Sequence, residues 1–482
     1  MCVARAESFK PRGRGTLGPE PGFLCEDPLV HNALFTGDNQ RVRQLFSNKW
    51  PQNLMLLASG HDLEWHSKKP EGPAWELWQA LLLGDEETLV LLISDPDQSN
   101  LHPNVIFDTS DVEQWKNYRY NLRALRIWSL CYKQEFITPL QITASRGYDK
   151  CLQHLLTSGA DVDFAPGGKT ALHESCENSQ SECTRLLLTY GANPNSISED
   201  GYTPLHLCSA PESLRCAELL LRFGCNVNSR TEDKGDTALH IAARFALESH
   251  VQLYLDHGAS VNRLNESGQS PLHCVCAQSH SSQDADRYFR VCHYLIEHGA
   301  SVEALDEEKQ SALHLACRTV NYRMVDLLLS KGIDVNRMDY GGNAPMHKAL
   351  QAVAYKLEHE PERTVRSLLN YGSIRIWPGA IPKVLRFCCQ SPRTIEVLVN
   401  VYDRLKVTDD WVESVPLKVL QEHQDFYESL FALSQTPRSL QHLARCAIRR
   451  HFEGHCQERI PQLPLPTFLK DYLLLQFQGY IS

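Results

Sequence analysis

Any chemistry in this chain has to come from its histidines and cysteines, since 21 His and 17 Cys are spread over its 482 residues. Six of the histidines, His173, His206, His240, His273, His314 and His347, share one context: each follows Thr, Ser or Ala, then Pro or Ala, then Leu or Met. A side chain that recurs at one phase serves the recurring unit. These imidazoles are therefore expected to hydrogen-bond between neighbouring units, because buried polar groups find partners. Structural zinc needs four convergent ligands, and no Cys-x2-Cys pair nucleates such a set. His273-Cys274-x-Cys276 comes nearest, but helix residues one and three apart cannot all face one ion, so no metal site is expected. Gly168-Lys169-Thr170 resembles the end of a phosphate-binding loop, yet Asp163 stands where the first glycine is needed. Cys388-Cys389 lacks the motif of a cysteine nucleophile and is expected to pack as core. Neither a Gly-x-Ser-x-Gly elbow nor a His-Glu-x-x-His helix occurs. The chain reads as a binder with no catalytic residues and no cofactor.

The elements that carry the histidines are legible from their periodicity. His173 to His206 is 33 residues, His206 to His240 is 34, His240 to His273 is 33, His273 to His314 is 41 and His314 to His347 is 33. Each histidine phrase opens a unit, and a Thr138-Pro139-Leu140 opening precedes them all. Each unit ends in an apolar run and a glycine: Gly159, Gly191, Gly224, Gly258, Gly299, Gly332 and Gly372. Thr203 can cap a helix, Pro204 fits its first turn, and the closing glycine supplies a left-handed C-terminus. A unit this short cannot bury its own apolar stripe, so successive helix-turn-helix units must stack into an all-α solenoid. The period and opening phrase are similar to those of ankyrin repeats. The long interval places an insertion at 279–290, and a second lengthens the last unit at 356–362; both are expected as surface loops between helices.

Composition narrows the partners. A formal charge of −10 argues against a nucleic-acid partner, which needs a cationic footprint. No apolar run reaches the ~18 residues that span a bilayer, so no membrane association is expected. Met1 to Gly15 lacks the apolar core of a secretory signal, and the odd number of cysteines at helix positions fits reduced thiols. A cytoplasmic or nuclear protein is expected. Two degenerate units precede the regular ones, at Leu29 to Phe46 and Trp78 to Ile93. Between them and the first regular repeat lies an aromatic and basic segment containing Trp115, Tyr118, Tyr120, Arg123, Arg126 and Trp128, either a helix covering the stack or a ligand-contacting surface.

Beyond Gly372 the rhythm stops, and the C-terminus carries two signals. Ser439 can cap a helix whose Leu440, Leu443, Ala444, Ala447 and Ile448 form one apolar stripe, with Arg445, Arg449 and Arg450 outside it as a solvated face. Then Leu463-Pro464-Leu465-Pro466 imposes an extended approach to a short helix with Phe468, Leu469, Tyr472 and Leu473. The pair could simply cap the stack. An apolar stripe left exposed beyond a cap instead implies a partner.

On these motifs the chain resembles the ankyrin repeat and SOCS box family along essentially its whole length. The resemblance implies residues 1–24 as a disordered segment, 25–105 as degenerate ankyrin-like repeats, 106–136 as an inserted helical segment and 137–372 as seven ankyrin repeats. A helical cap or connector at 373–426 and a SOCS box at 427–482 complete it. It further implies that Leu440, Leu443, Ala444 and Ile448 bind elongin B/C, and that Leu463, Pro464, Leu465 and Pro466 select cullin-5 with its RING partner. The family's Leu-x-x-x-Cys pattern has Ala444 at its last position, with Cys446 two places on. The function implied is a non-catalytic substrate receptor of a ubiquitin ligase, the repeats holding an unknown protein target. The alternative is an ankyrin scaffold without ligase coupling. Family behaviour also marks Asn336, within Asp334-Val335-Asn336, as either an asparagine-hydroxylase target or a turn-stabilising side chain.

Overall fold

The computed structural model describes residues 55–59, 64–68, 76–77, 80–81, 83–94, 107–108 and 136–476, apart from 280, 282–283, 434–436 and 453. The first degenerate unit and the aromatic cluster from Trp115 to Trp128 lie outside the described residues. Among those described the regular elements are helices, apart from an isolated bridge between Leu305 and Ser311 and two short antiparallel strand pairs. One joins β1 (Met55–Ser59) to β2 (Glu64–Lys68), and the other joins β3 (Phe107–Asp108) to β4 (Phe136–Ile137). The second pair brings together the two ends of the inserted segment, which are strand where helix was expected.

The chain divides into two compact units, residues 1–226 and 227–482. In the first, α1 (Glu86–Ser94) follows a left-handed Gly84 and packs on the second helix of the next repeat, as a degenerate unit should. Three regular pairs follow: α2 (Pro139–Arg146) with α3 (Asp149–Thr157), α4 (Ala171–Glu177) with α5 (Ser181–Thr189), and α6 (Pro204–Leu207) with α7 (Leu214–Arg222). The second unit continues with α8 (Ala238–Arg244) and α9 (Glu248–Asp256), α10 (Pro271–Ala277) and α11 (Ala285–Glu297), α12 (Ala312–Thr319) and α13 (Tyr322–Ser330), then α14 (Pro345–Ala352) and α15 (Pro361–Asn370).

One interaction, repeated, joins unit to unit. Thr170 donates its amide to Nδ1 of His173 at 3.2 Å, and the opposite nitrogen, Nε2, donates to the Tyr202 carbonyl of the next repeat at 3.0 Å. A carbonyl can only accept, so Nε2 carries the proton and the ring is neutral. Burial enforces this, holding the His173 pKa down to about 4. His240, His273 and His314 repeat the bond to Gln269, Ala304 and Asn343. In the first regular repeat Gln141 stands in for histidine: its Oε1 accepts from the Thr138 amide at 2.6 Å while Nε2 donates to the Lys169 carbonyl. An amide can replace the imidazole because only one acceptor and one donor are required.

Each closing glycine from Gly159 to Gly372 has φ between +80° and +92°, the left-handed closure its position requires. A ladder of asparagines ties the hairpins within each unit. In the second, Asn262 Nδ2 donates to the Gly299 carbonyl at 3.0 Å and Oδ1 accepts from the Ser301 amide at 2.8 Å.

The insertions correct one expectation. Much of 279–290 is not loop but a helical extension that makes α11 13 residues long, against nine for α9 and α13. Arg323 holds the added turn through Asp286 and lies over the Phe289 ring. The second insertion forms two 3-10 turns, and its Lys356 bonds Ser279 of the first. The connector also proves more regular than expected. α16 (Ile381–Cys388) packs on α14 and α17 (Pro392–Val399) on α15, so an eighth, degenerate pair continues the stack. Short helices α18 (Asp409–Glu413), α19 (Leu417–Glu422) and α20 (Gln424–Ala432) follow, with Tyr427 of α20 buried and donating its hydroxyl to the Cys389 carbonyl.

Candidate functional site

The C-terminal helix α21 (Leu440–His451) starts where Ser439 caps it, its hydroxyl accepting from the His442 amide at 3.2 Å. At about 100° per residue, Leu440, Leu443, Ala444 and Ala447 fall on one side and His442, Arg445, Cys446 and Arg449 on the other. The structure turns the polar side inward. Leu440 is 85% exposed, Leu443, Ala444 and Ala447 are also exposed, and Ile448 is half-buried, whereas Arg445 and Arg449 are only 2% and 8% exposed. The expected solvated face of Arg445 and Arg449 is thus overturned. Only Arg450 remains outside, paired with Asp403 at 2.8 Å.

Arg449 is tolerable in the interior because helix C-termini receive it. Arg449 Nη1 donates to Asn370 Oδ1 and to the Leu473 carbonyl, both at 2.7 Å, and Nη2 donates to the Leu369 carbonyl at 3.2 Å. Leu369 and Asn370 end α15, and Leu473 ends the last helix, α23 (Thr467–Leu473), which follows the short α22 (Cys456–Arg459). The guanidinium bridges two negative helix ends with no carboxylate present. Burial lowers its pKa to about 10, which still leaves it charged at neutral pH. Asn370 completes the clasp by donating Nδ2 to the Leu474 carbonyl at 3.0 Å. Beside it Gly372 abuts Gly454, and a Cβ on Gly372 would stand 2.5 Å from the Gly454 Cα.

The N-terminal half of α21 docks on the terminal pair. His442 Nε2 donates to the Tyr402 carbonyl at 2.8 Å, its Nδ1 accepts from Arg445 Nη2 at 2.8 Å, and the Arg445 guanidinium lies over the Tyr472 ring. Burial drives the His442 pKa down to about 4, which keeps that acceptor unprotonated. Cys446 faces the Asn400 carbonyl from this same buried side, so it cannot replace a thiol at the exposed Ala444 position.

The Leu-Pro-Leu-Pro segment divides by residue. Leu463 and Leu465 pack with Ile448 and Phe452 against a small core of Cys456, Ile460, Leu473 and Leu474, while Pro464 and Pro466 are exposed and Phe468 projects beside them. Ile448 therefore serves the internal core as well as the stripe. Asn336 belongs to the asparagine ladder: Nδ2 donates to the Gly372 carbonyl at 3.0 Å and Oδ1 accepts from the Ile374 amide at 2.8 Å. His273 has both ring nitrogens engaged, Cys388 is buried, and no metal-ligating cluster occurs among the described residues. His442 and Asn370 carry no expectation from the sequence, and Arg445 and Arg449 are expected on the wrong face. Their one signal was a second stripe at 442, 445, 446 and 449 with helical spacing as regular as that of the leucines.

A repeat solenoid followed by a helix that is clasped on its polar side and bare along its apolar side defines the architecture. Its segments match two family models, ankyrin repeats (3 copies) in overlapping stretches from 122–198 to 283–375, and the SOCS box at 436–474. The chain is 47% identical over 419 residues to ankyrin repeat and SOCS box protein 10 of Mus musculus, covering 86% of this chain and 90% of that one. It is 41% identical over 468 residues to ankyrin repeat and SOCS box protein 18 of Homo sapiens, covering 96% and 98%. The crystal structure of the human ASB11 ankyrin repeat domain aligns with a TM-score of 0.41 at 24% identity, over 48% of this chain and 97% of that one. The chain belongs to the ankyrin repeat and SOCS box family.

Proposed function

We propose that this chain is the substrate-recognition subunit of an elongin B/C, cullin-5 and RING ubiquitin ligase, acting in the cytoplasm or nucleus. The observation that carries the proposal is the bare ridge of Leu440, Leu443, Ala444 and Ala447 on a helix whose other face is locked to the stack. Elongin B/C covers that ridge, with Leu440 as its leading anchor and Ile448 at its far end. Burying Leu440 contributes about 1.5–3 kcal/mol, part of which association entropy offsets. Cullin-5 meets the exposed Pro464 and Pro466, held in place by the inward Leu463 and Leu465. The repeats hold the target, and ubiquitin transfer occurs on the RING-bound conjugating enzyme, so this chain supplies proximity and no bond chemistry.

Leu440→Asp tests the elongin step: capture of elongin B/C from cells should disappear while thermal stability stays within about 0.5 kcal/mol of wild type, because the side chain is exposed. Retained capture refutes the assignment and leaves a scaffold without ligase coupling. Replacing Pro464 and Pro466 with Ala should spare elongin capture and lose cullin-5. Hydroxylation of Asn336 is a separate proposal; a cell-derived peptide spanning it whose mass lacks an added oxygen dismisses it.

A further inference from the structure

Charge is segregated between the two helix layers of the second unit. Its five first helices, α8, α10, α12, α14 and α16, contain no Asp or Glu, whereas every one of their partners, α9, α11, α13, α15 and α17, contains at least one. The first helices carry five cations. Two are neutralised by hairpin carboxylates, Arg244 by Asp236 and Lys348 by Asp339. The other three, Arg318, Lys383 and Arg386, are exposed and hold no ion pair among the described residues. In a chain of net charge −10, an acid-free layer with free cations is a local reversal of sign.

Aromatic surface accompanies the charge. Phe387 projects from α16 one turn on from Lys383, with Arg386 exposed next to it. Tyr355, 84% exposed, follows directly from the end of α14, the helix against which α16 packs. Trp377, 75% exposed, leads into α16 with its ring laid over Gly379; a Cβ there would stand 2.1 Å from the ring. Gly379 thus leaves room for the indole to lie close against the backbone. Exposed aromatics beside Arg are the composition of binding hot spots.

We propose that the first-helix layer from α12 to α16 is the target-docking surface and that it takes an acidic protein segment carrying apolar side chains. The carboxylates meet Arg318, Lys383 and Arg386, and the apolar side chains lie on Phe387, Tyr355 and Trp377. Charge complementarity selects the segment and speeds its encounter, so affinity falls with added salt. This inference rests on the repeats holding the target in the proposed ligase. A nucleic acid would find both cations and stacking rings here too, but three cations spread over two helices offer few phosphate contacts, whereas a short segment with isolated carboxylates needs no more.

A random peptide-display library selected on the full chain should enrich sequences that combine Asp or Glu with Phe, Leu or Trp. By fluorescence anisotropy those peptides should bind the triple variant Arg318→Glu, Lys383→Glu, Arg386→Glu at least about tenfold more weakly than wild type. The variant should melt as wild type and still be captured by immobilised elongin B/C, whereas Leu440→Asp should lose elongin and keep the peptide. The two results separate failure of the target surface from failure of the ligase assignment. If the triple variant melts early, the corresponding glutamine variants replace it, with the same loss expected in direction. Enrichment of neutral or basic peptides, undiminished binding by the variants, or equal competition by a single-stranded oligonucleotide overturns the proposal.

Discussion

Replacing Arg449 with Met should loosen the C-terminal module without unfolding the repeats. The guanidinium serves three acceptors, Asn370 Oδ1 and the Leu473 and Leu369 carbonyls. Leaving three buried acceptors unmet costs roughly 5 kcal/mol, at about 1–2 kcal/mol each. Against this, the cation is itself costly to bury, as its pKa of about 10 records. Removing it returns about 3 kcal/mol, because each pKa unit corresponds to about 1.4 kcal/mol. The net loss is about 2 kcal/mol, confined to the clasp between α15, α21 and α23. A solenoid does not unfold as one two-state unit, so the right observable is local opening, read by native-state hydrogen exchange. Amides of 440–473 should lose protection about thirtyfold, while those of α4 and α5 stay unchanged. Arg449→Lys should recover only part of this, because a point charge cannot fork to three acceptors. Unchanged protection over 440–473, or a uniform loss along the whole chain, refutes the bridging role assigned to Arg449.

Other perturbations follow from the same geometry. Gly372→Ala should cost at least about 1 kcal/mol more than Gly332→Ala, measured as local opening by native-state hydrogen exchange; both positions are left-handed, but only at Gly372 does the new Cβ meet backbone, at 2.5 Å. Stability should fall as pH drops from about 6.5 toward about 4. His173, His250 and His442 are held at about 4 by burial, so the unfolded chain protonates first and binds more protons through that window. Urea midpoints at several pH values would show this, and His173→Gln should flatten the slope at little cost near neutrality, since Gln141 already performs the same bonding one repeat earlier. Asn336→Ala should cost about 1 kcal/mol through the lost bonds to the Gly372 carbonyl and the Ile374 amide, read as a lower urea midpoint.

The repeat architecture was legible because each unit spells out its own caps. Thr170, Thr203 and Thr237 mark helix starts, Gly191, Gly224 and Gly258 mark ends, and His173 and His240 link neighbouring repeats as their phase implies. Leu440 was legible as an exposed side chain for a similar reason, since a stripe placed after a completed stack has nothing left to cover it. Arg445 and Arg449 were misplaced because a cation near a helix C-terminus is ordinarily solvated. Only the fold brings the ends of α15 and α23 to it, from a separation of 79 residues in the case of Asn370. The polar sequence of 279–290 likewise suggested loop. Arg323, which holds that stretch as helix, lies a repeat away, beyond the reach of local propensity.

The seam between the docking module and the repeats has one further consequence. Oily seams let two parts slide, because one methylene substitutes for another. Here the joint is keyed by directional bonds at Arg449, Asn370 and His442 and by two glycines in backbone contact, so rotating the module breaks several bonds at once without offering replacements. In the ligase proposed above, whatever mounts on Leu440 is therefore aimed at a fixed bearing relative to the last repeats, and which lysines of a captured protein come within range becomes a matter of angle.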